Sequence, residues 1–167
     1  ATETLGMWVQ PNISLGSSTG TICSGNAVEY FPSVANNLND VTVYWTRNSL
    51  PSGLTSTGAS QGQGVISQTL INTTNTPLSV NYTLLGYYNG SSSSAPNATY
   101  VVTVNPRPVV SISNTNNGVC SNSAWSTNLS SNITTGINVY SWASIAENSL
   151  NLSTGNSSGS GSFINHT

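Results

Sequence analysis

The sequence predicts an all-β chain made of tandem antiparallel β-sandwiches, of which the second is incomplete within the 167 residues. Three observations support this prediction. The chain repeats itself at a fixed offset of 97 residues, its apolar residues alternate with polar ones in short runs, and no segment shows helical periodicity over a useful length. A repeat whose period is as long as a domain is typical of tandem domains.

The repeat is centred on Val41–Thr46, because the offset carries Trp45 onto Trp142. No gap is needed anywhere in the comparison. The other matches are Cys23-Ser24 with Cys120-Ser121, Ser56-Thr57-Gly58 with Ser153-Thr154-Gly155, Gly62 and Gly64 with Gly159 and Gly161, and Pro11 and Ser14 with Pro108 and Ser111. The sequence therefore predicts a leader strand over 1–11, a complete repeat over 12–107 and the front of a second repeat over 108–167.

The leader is predicted to be a strand that has Leu5, Met7 and Val9 on one face. By the offset it corresponds to 98–107, the last strand of the complete repeat. We therefore expect it to be the last strand of a preceding repeat and a candidate strand donor to another molecule. The donor residues would be Thr2, Glu3, Thr4, Leu5, Gly6, Met7, Trp8 and Val9.

The complete repeat contains five predicted strands separated by Gly, Pro, Asn and Ser clusters. Alternation predicts that Leu78, Val80, Tyr82 and Leu84 face inward, as do Tyr100, Val102 and Val104. Gly62-Gln63-Gly64 and Ser91–Ser94 are predicted to be exposed turns or loops. The strands are Ala27–Phe31, Val41–Thr46, Val65–Ile71, Leu78–Leu84 and Thr99–Val104.

The second repeat begins near Val109 and contributes apolar residues as far as Phe163-Ile164. The counterparts of the last strands of the complete repeat fall outside the 167 residues, so we expect an exposed apolar cleft with unpaired edges. Short strands at this spacing, with a Trp on a central strand and a Cys on an earlier one, indicate sandwiches of immunoglobulin-like size. The separation of Cys23 from Trp45 is longer than in antibody domains.

The chain contains four distinctive segments: Ile22–Gly25, Trp45–Arg47, Gly64–Thr74 and Val102–Pro108. Together they resemble the PKD-like domains, which recur in very large secreted surface proteins and adhesins of Bacteroidetes. The resemblance implies an extracellular, non-enzymatic, immunoglobulin-like module in tandem arrays. Such domains commonly carry a second cysteine before the last strand, where this chain has Tyr87-Tyr88-Asn89-Gly90, so Cys23 lacks the expected intradomain partner.

Charged residues make up only 4% of the chain, with Lys+Arg 2 and Asp+Glu 4. Almost no cations are available to neutralise phosphates, which excludes electrostatic binding of nucleic acid. No apolar run is long enough to insert into a membrane as a helix. We expect Ser, Thr and Asn, and sugars if they are attached, to keep an extracellular or cell-surface protein soluble.

No catalytic, metal or cofactor site is predicted. The acids Glu3, Glu29, Asp40 and Glu147 are scattered, and the single histidine is His166. A calcium site needs several oxygen ligands, and a glycosidase needs two facing carboxylates. The sequence therefore predicts a protein that is not an enzyme and binds no cofactor.

The cysteines and tryptophans each admit two interpretations. Cys23 and Cys120 are either small buried apolar residues or partners in an intermolecular disulfide, because equivalent positions in two domains lie too far apart to bond each other. Trp45 and Trp142 are predicted to be core residues rather than platforms for sugars. Trp8 and Trp125 have no matched tryptophan and are the better candidates for a surface or a junction between domains, although the core is the favoured position for them as well.

Candidate N-glycosylation sites are numerous because the chain is rich in Asn, Ser and Thr. The acceptors would be Asn12, Asn72, Asn81, Asn89, Asn97, Asn128, Asn132, Asn151, Asn156 and Asn165.

Together these features predict a structural or adhesive module of an extracellular filament or long repeat adhesin. Its partner would be another copy, joined head to tail when the leader completes the second repeat of a neighbour. The other interpretation is that the partners are adjacent repeats of a longer covalent chain. A function from a different class is a carbohydrate-binding accessory module that recognises surface glycans.

Overall fold

The computed structural model of the chain describes residues 13–14, 18–35, 40–88, 98–113, 120, 123–134, 139–143 and 158–166. The chain divides into two compact units, Ala1–Arg107 and Pro108–Thr167. The described part contains strands and turns but no α-helix, and in it no helix could cross a membrane. The predicted leader strand lies outside the described residues.

Ten strands form the described part of the first unit. They are β1 (Ile13–Ser14), β2 (Thr19–Cys23), β3 (Ala27–Tyr30), β4 (Ser33–Val34), β5 (Val41–Arg47), β6 (Leu54–Ser56), β7 (Gln61–Gln63), β8 (Ile66–Asn72), β9 (Leu78–Tyr88) and β10 (Ala98–Asn105).

Two sheets pack face to face in the first unit. The larger has the strand order β2-β10-β9-β5-β7 and the smaller has the order β3-β8-β6, while β1 pairs separately with β4. Neighbouring strands are antiparallel except β2 and β10, which run parallel from the pair Thr19 and Val101 to the pair Cys23 and Asn105. The predicted all-β, immunoglobulin-like sandwich is thus confirmed.

The core lies between the two sheets because each strand contributes every second residue to it. Fully burying one such aliphatic or aromatic side chain stabilises the fold by about 1.5–3 kcal/mol. The predicted inward faces of β9 and β10 are confirmed, although Leu78 is only partly buried. The core residues are Val28, Tyr30, Val43, Trp45, Leu54, Ile66, Leu70, Val80, Tyr82, Leu84, Tyr100, Val102 and Val104.

The predicted turn at Gly62-Gln63-Gly64 is wrong. Gln61–Gln63 is strand β7, and it pairs with Tyr44, Trp45 and Thr46 of β5. Glycine inside a strand signals the close approach of another group, which here is the Trp45 ring. The strand ends at Gly64, whose φ of 72° favours glycine and whose N–H donates to the carbonyl of Val43 at 2.8 Å.

Five strands form the described part of the second unit, in two antiparallel sheets of order β11-β12-β15 and β13-β14. Thr127 and Leu129 are buried there, whereas Val110, Ile112 and Val139 are exposed. The strands are β11 (Val110–Ile112), β12 (Trp125–Ser131), β13 (Ser141–Ala143), β14 (Ser158–Ser160) and β15 (Phe163–His166).

The β13–β14 pair of the second unit reproduces the β5–β7 pair of the first. Trp142 lies opposite Gly159, as Trp45 lies opposite Gly62, and the flanking pairs also agree at the offset of 97 residues. Gly161, with φ 106°, donates its N–H to the carbonyl of Tyr140 at 3.0 Å, as Gly64 does to Val43. At these two strands, the repeat in the sequence is therefore accompanied by a repeat of the strand pairing.

The β12–β15 pair does not follow the offset. Trp125 lies opposite His166, whereas the offset from the pairing of β3 with β8 would place Trp125 opposite Asn165. A shift of one residue moves a strand's side chains to the opposite face. Phe163 is accordingly 53% exposed, although its counterpart Ile66 is fully buried.

Candidate functional site

The described residues form no catalytic or metal-binding cluster. Among them, no group of three His, Cys, Asp or Glu side chains could hold a metal ion. Glu29 is exposed and accepts a hydrogen bond at 2.6 Å from Ser67, its cross-strand neighbour. Asp40 lies in an exposed turn before β5. Glu3 and Glu147 are outside the described residues, and His166 ends β15.

A buried polar cluster links the two sheets of the first unit. Arg47 of β5 donates from Nη1 to Ser56 Oγ and, at 3.2 Å, to Gln68 Oε1, and the Tyr82 hydroxyl donates to the same Oε1 at 3.0 Å. Gln68 Nε2 donates to the carbonyl of Ala59. Burial raises the pKa of Tyr82, with Arg47 acting in the opposite direction and Tyr100 reinforcing the rise. Tyr82 therefore stays protonated at neutral pH, and the cluster is structural.

A second polar network lies at the end of the sandwich where β2, β8 and β10 finish. Ser24 Oγ accepts from the backbone N–H of Asn72 at 2.9 Å and donates to its carbonyl at 3.1 Å. The backbone N–H of Ser24 donates to the carbonyl of Asn105 at 2.9 Å, and Asn72 Nδ2 donates to that of Val104 at 2.8 Å. Three segments of the PKD-like resemblance, distant in sequence, thus meet at one place.

This network corrects one predicted glycosylation site. Asn72 is only 4% exposed, and its Nδ2, to which a glycan would be attached, donates to the carbonyls of Thr76 and Val104. Asn72 is therefore not a glycan acceptor in the folded domain. Asn81 and Asn128 are exposed on strands, and Asn132 Oδ1 accepts from the N–H of Val109 at 2.7 Å. Asn165 lies in β15, and the other candidates are outside the described residues: Asn12, Asn89, Asn97, Asn151 and Asn156.

The cysteines are not buried, contrary to the first of the two interpretations. Cys23 and Cys120 are both free and exposed. The carbonyl of each cysteine accepts a hydrogen bond at 3.0 Å from the backbone N–H three residues later. The donors are Asn26 for Cys23 and Ser123 for Cys120. Cys23 lies at the surface because it belongs to the outward-facing residues of β2, an edge strand. An intermolecular disulfide remains a prediction.

The tryptophans differ in their surroundings. Trp45 is 7% exposed and makes an edge contact with Tyr82, with ring centroids 6.0 Å apart. Trp142 and Trp125 are half-buried. Trp8 is outside the described residues. Trp45 is thus a core residue, as predicted, whereas Trp125 and Trp142 each keep part of their surface exposed.

The outer face of β5, β7 and β9 carries an uncharged surface that no motif in the sequence indicates. Tyr44 lies at the centre of this surface and is 45% exposed. The ring of Tyr87 makes an edge-to-face contact with the ring of Tyr44, with the two centroids 5.4 Å apart. Gln63 is the cross-strand neighbour of Tyr44, and the next pair on the same face is Thr46 and Gln61, all exposed. We call Tyr44, Thr46, Gln61, Gln63 and Tyr87 the Tyr44 surface.

A groove of about 300 Å³, with both polar and apolar surface, adjoins the Tyr44 surface. Thr42 and Gln63 line it, and Thr42 is also the cross-strand partner of Tyr87, so the two features are continuous. Phe31, which is 71% exposed, forms part of its wall with Val65. The remaining lining residues are Pro32, Val34, Val41, Val43 and Gly64.

The sandwich and its polar contacts define an immunoglobulin-like module whose internal polar groups serve structure. The PKD-like domain family model matches residues 20–108, and the chain belongs to this family. The match covers β2 to β10 together with the network around Ser24 and Asn72. Domains of this type are typically non-catalytic structural or adhesive modules and are commonly extracellular. No curated protein matches the chain.

Proposed function

We propose that the chain is a load-bearing structural module of an extracellular filament or long repeat adhesin. The observation that carries the proposal is the parallel pairing of β2 with β10 at the edge of the larger sheet. The chain enters the ladder at Thr19 and leaves it at Asn105, so tension along the chain pulls these two strands in opposite directions. The load then falls on the whole ladder at once and not on one bond at a time.

The ladder can be tested one amide at a time. Val101 donates its N–H to the carbonyl of Ser18, and Ser24 donates to that of Asn105, both at 2.9 Å. Between these bonds the parallel pattern uses the N–H of Ile22, whereas the N–H of Thr21 points away from β10. Proline removes an N–H, so Ile22→Pro breaks the ladder and Thr21→Pro spares it.

The experiment stretches single 167-residue chains between their ends. We expect Ile22→Pro to lower the unfolding force of the first unit well below those of the unchanged chain and of Thr21→Pro. Forced unfolding reports the barrier to unfolding, so the measurement addresses load and not only equilibrium stability. Ile22→Ala controls for lost packing. Equal forces for the two proline variants would overturn the proposal.

The finer form of the proposal concerns what completes the second unit. In the first unit β5 lies between β7 and β9, whereas in the described residues β13 has β14 as its neighbour. The offset carries β9 and β10 past Thr167. A further neighbour of β13 would, in this proposal, be a strand from a second copy, as in head-to-tail assembly, or from a longer covalent chain.

The apolar pattern of the leader supports donation by a second copy, but one donated strand would not complete the sheet. At the offset, Leu5, Met7 and Val9 correspond to Val102, Val104 and Pro106, which are all buried. However, β9 separates β10 from β5 in the sheet. A leader in the place of β10 would therefore pair with the counterpart of β2, and a second strand would still have to occupy the place of β9.

Deleting residues 1–10 separates the two sources. Head-to-tail donation predicts that the deletion abolishes polymers while leaving the melting transition of the first unit unchanged. Electron microscopy and light scattering measure the polymer, and calorimetry measures the folded unit. Polymers that survive the deletion would exclude donation by the leader.

A further inference from the structure

We propose that the Tyr44 surface and its adjoining groove bind a neutral polysaccharide or oligosaccharide. This would give the module an adhesive activity in addition to its structural role. The Tyr44 surface lies on the outer face of the larger sheet, away from the β2–β10 ladder, and the groove leads from it to Phe31 and Pro32 at the end of β3. The proposed site includes none of the tryptophans.

The geometry provides both kinds of contact that a sugar needs. The apolar faces of a pyranose ring stack on aromatic rings, and its hydroxyls form hydrogen bonds with amides and hydroxyls. Tyr44 supplies the ring, held by its edge-to-face contact with Tyr87. Gln63 and Gln61, from the neighbouring strand, supply amides that can donate and accept. Their alternation along β7 places both amides on the face that carries Tyr44.

The groove extends this surface in one direction. It begins at Thr42 and Gln63 and is bounded by the exposed ring of Phe31. A concave, mainly apolar site with a few polar groups is the usual form of a small-ligand site. A chain of several sugar units could therefore lie on Tyr44 and continue into the groove.

The second unit shows that the fold does not require these side chains. Its β13–β14 pair has the same backbone pairing as β5–β7, yet the counterparts of Tyr44 and Gln63 are Ser141 and Ser160. Thr46 and Gln61 are likewise replaced by Ala143 and Ser158. The inner Trp–Gly pair is kept while the outer side chains are lost. The backbone pairing alone therefore does not account for the aromatic and amide groups of the first unit.

Charge determines the class of sugar. The residues of the Tyr44 surface and the groove carry no charged side chain, and the whole chain has only Lys+Arg 2. A sulfated or uronic polysaccharide would find no cation to pair with, whereas a neutral one needs none. The ligand class is therefore a neutral glycan.

The test is affinity electrophoresis of the full 167-residue chain in native gels containing a soluble β-glucan, a mannan, an arabinogalactan or a sulfated galactan. A glycan array of neutral and acidic oligosaccharides extends the panel. We expect at least one neutral glycan to bind, and Tyr44→Ser to weaken its binding by about tenfold or more, as expected for loss of an aromatic stacking contact. Gln63→Ser should weaken the same binding.

The control is Thr21→Ser, on the same outer face but at the opposite edge of the sheet, which should bind like the unchanged chain. Melting temperatures of all variants check that the sandwich stays folded. Binding to no neutral glycan, binding only to the sulfated galactan, or unchanged binding by Tyr44→Ser would each overturn the proposal. The stretching experiment is independent, so either proposal can fail alone.

Discussion

The β5–β7 pair of the first unit and the β13–β14 pair of the second have the same backbone pairing. They share the side chains of the inner face but differ in those of the outer face. Inside, Trp45 over Gly62 is repeated as Trp142 over Gly159. Outside, Tyr44 beside Gln63 becomes Ser141 beside Ser160. The comparison shows that packing constrains one face of these strands while the other face can carry a separate function.

The inner pair is constrained because the indole occupies the space that a side chain would fill. A Cβ built on Gly62 would lie 2.5 Å from Cζ2 of Trp45, and one on Gly159 would lie 2.6 Å from Cζ2 of Trp142. These distances are well inside van der Waals contact. The tryptophan and the glycine therefore form one packing unit on two strands.

The largest expected effect comes from removing the indole. Trp45→Ala should destabilise the first unit by about 3–5 kcal/mol, because it leaves a large cavity between the sheets. Urea unfolding of the whole chain, followed by tyrosine and tryptophan fluorescence, measures the change. A loss below about 1 kcal/mol would mean that Trp45 is not a core residue.

A smaller effect is expected from filling the space beneath the indole. Gly62→Ala should cost about 1–3 kcal/mol, because its methyl group meets the Trp45 ring and the ring has to shift. Gln63→Ala, on the neighbouring residue that points outward, is the matched control and should change little. If both substitutions have the same effect, the close packing of the inner pair is not what fixes the glycine.

A third effect appears only at alkaline pH. Burial raises the pKa of Tyr82, Tyr30 and Tyr100, above the value of about 10 for an exposed tyrosine. The unfolded chain then loses these protons at lower pH than the folded chain does. The stabilisation is complete below about pH 10 and is lost as pH rises through the folded pKa values. Urea titrations between about pH 8 and pH 11 should show the decline, and Tyr82→Phe should make it shallower.

The smallest effect should come from the outer face. Replacing Tyr44 and Gln63 together by serine copies the second unit and should change stability by only about 0.5 kcal/mol, since both side chains are at the surface. Calorimetry of this double variant measures the difference directly. A loss as large as that of Gly62→Ala would mean that Tyr44 and Gln63 contribute to folding, which would remove the distinction between the two faces.

The sequence predicted the parts of the fold that depend on alternation and on the repeat. Leu78–Leu84 and Thr99–Val104 alternate cleanly, so their strands and inward faces followed directly. The strand β7 could not be predicted in the same way. Gly62 and Gly64 suggest a turn when considered alone, and only the position of the Trp45 ring explains a glycine inside a strand.

The errors at the candidate sites have a common cause, which is that a short motif contains no information about burial. The sequon at Asn72 is complete in sequence, yet the folded chain uses its amide to hold β10 and the following turn. Burial was one of two interpretations of Cys23, based on its residue type, but Cys23 occupies the outward-facing set of an edge strand. The sequence does not indicate the Tyr44 surface because two of its five residues lie on β7, a strand whose glycines suggest a turn.

The parallel pairing of β2 with β10 also sets the order in which the first unit can fold. Thr19 pairs with Val101, 82 residues later, so the ladder forms only after nearly the whole repeat is present. Contacts this distant in sequence slow folding because the loop between them must be closed first. A chain emerging from a secretion channel N-terminus first would therefore keep each repeat open until its last strand had emerged. In a chain of several such repeats, each repeat would therefore close only after its own β10 has arrived, in order from the N-terminus.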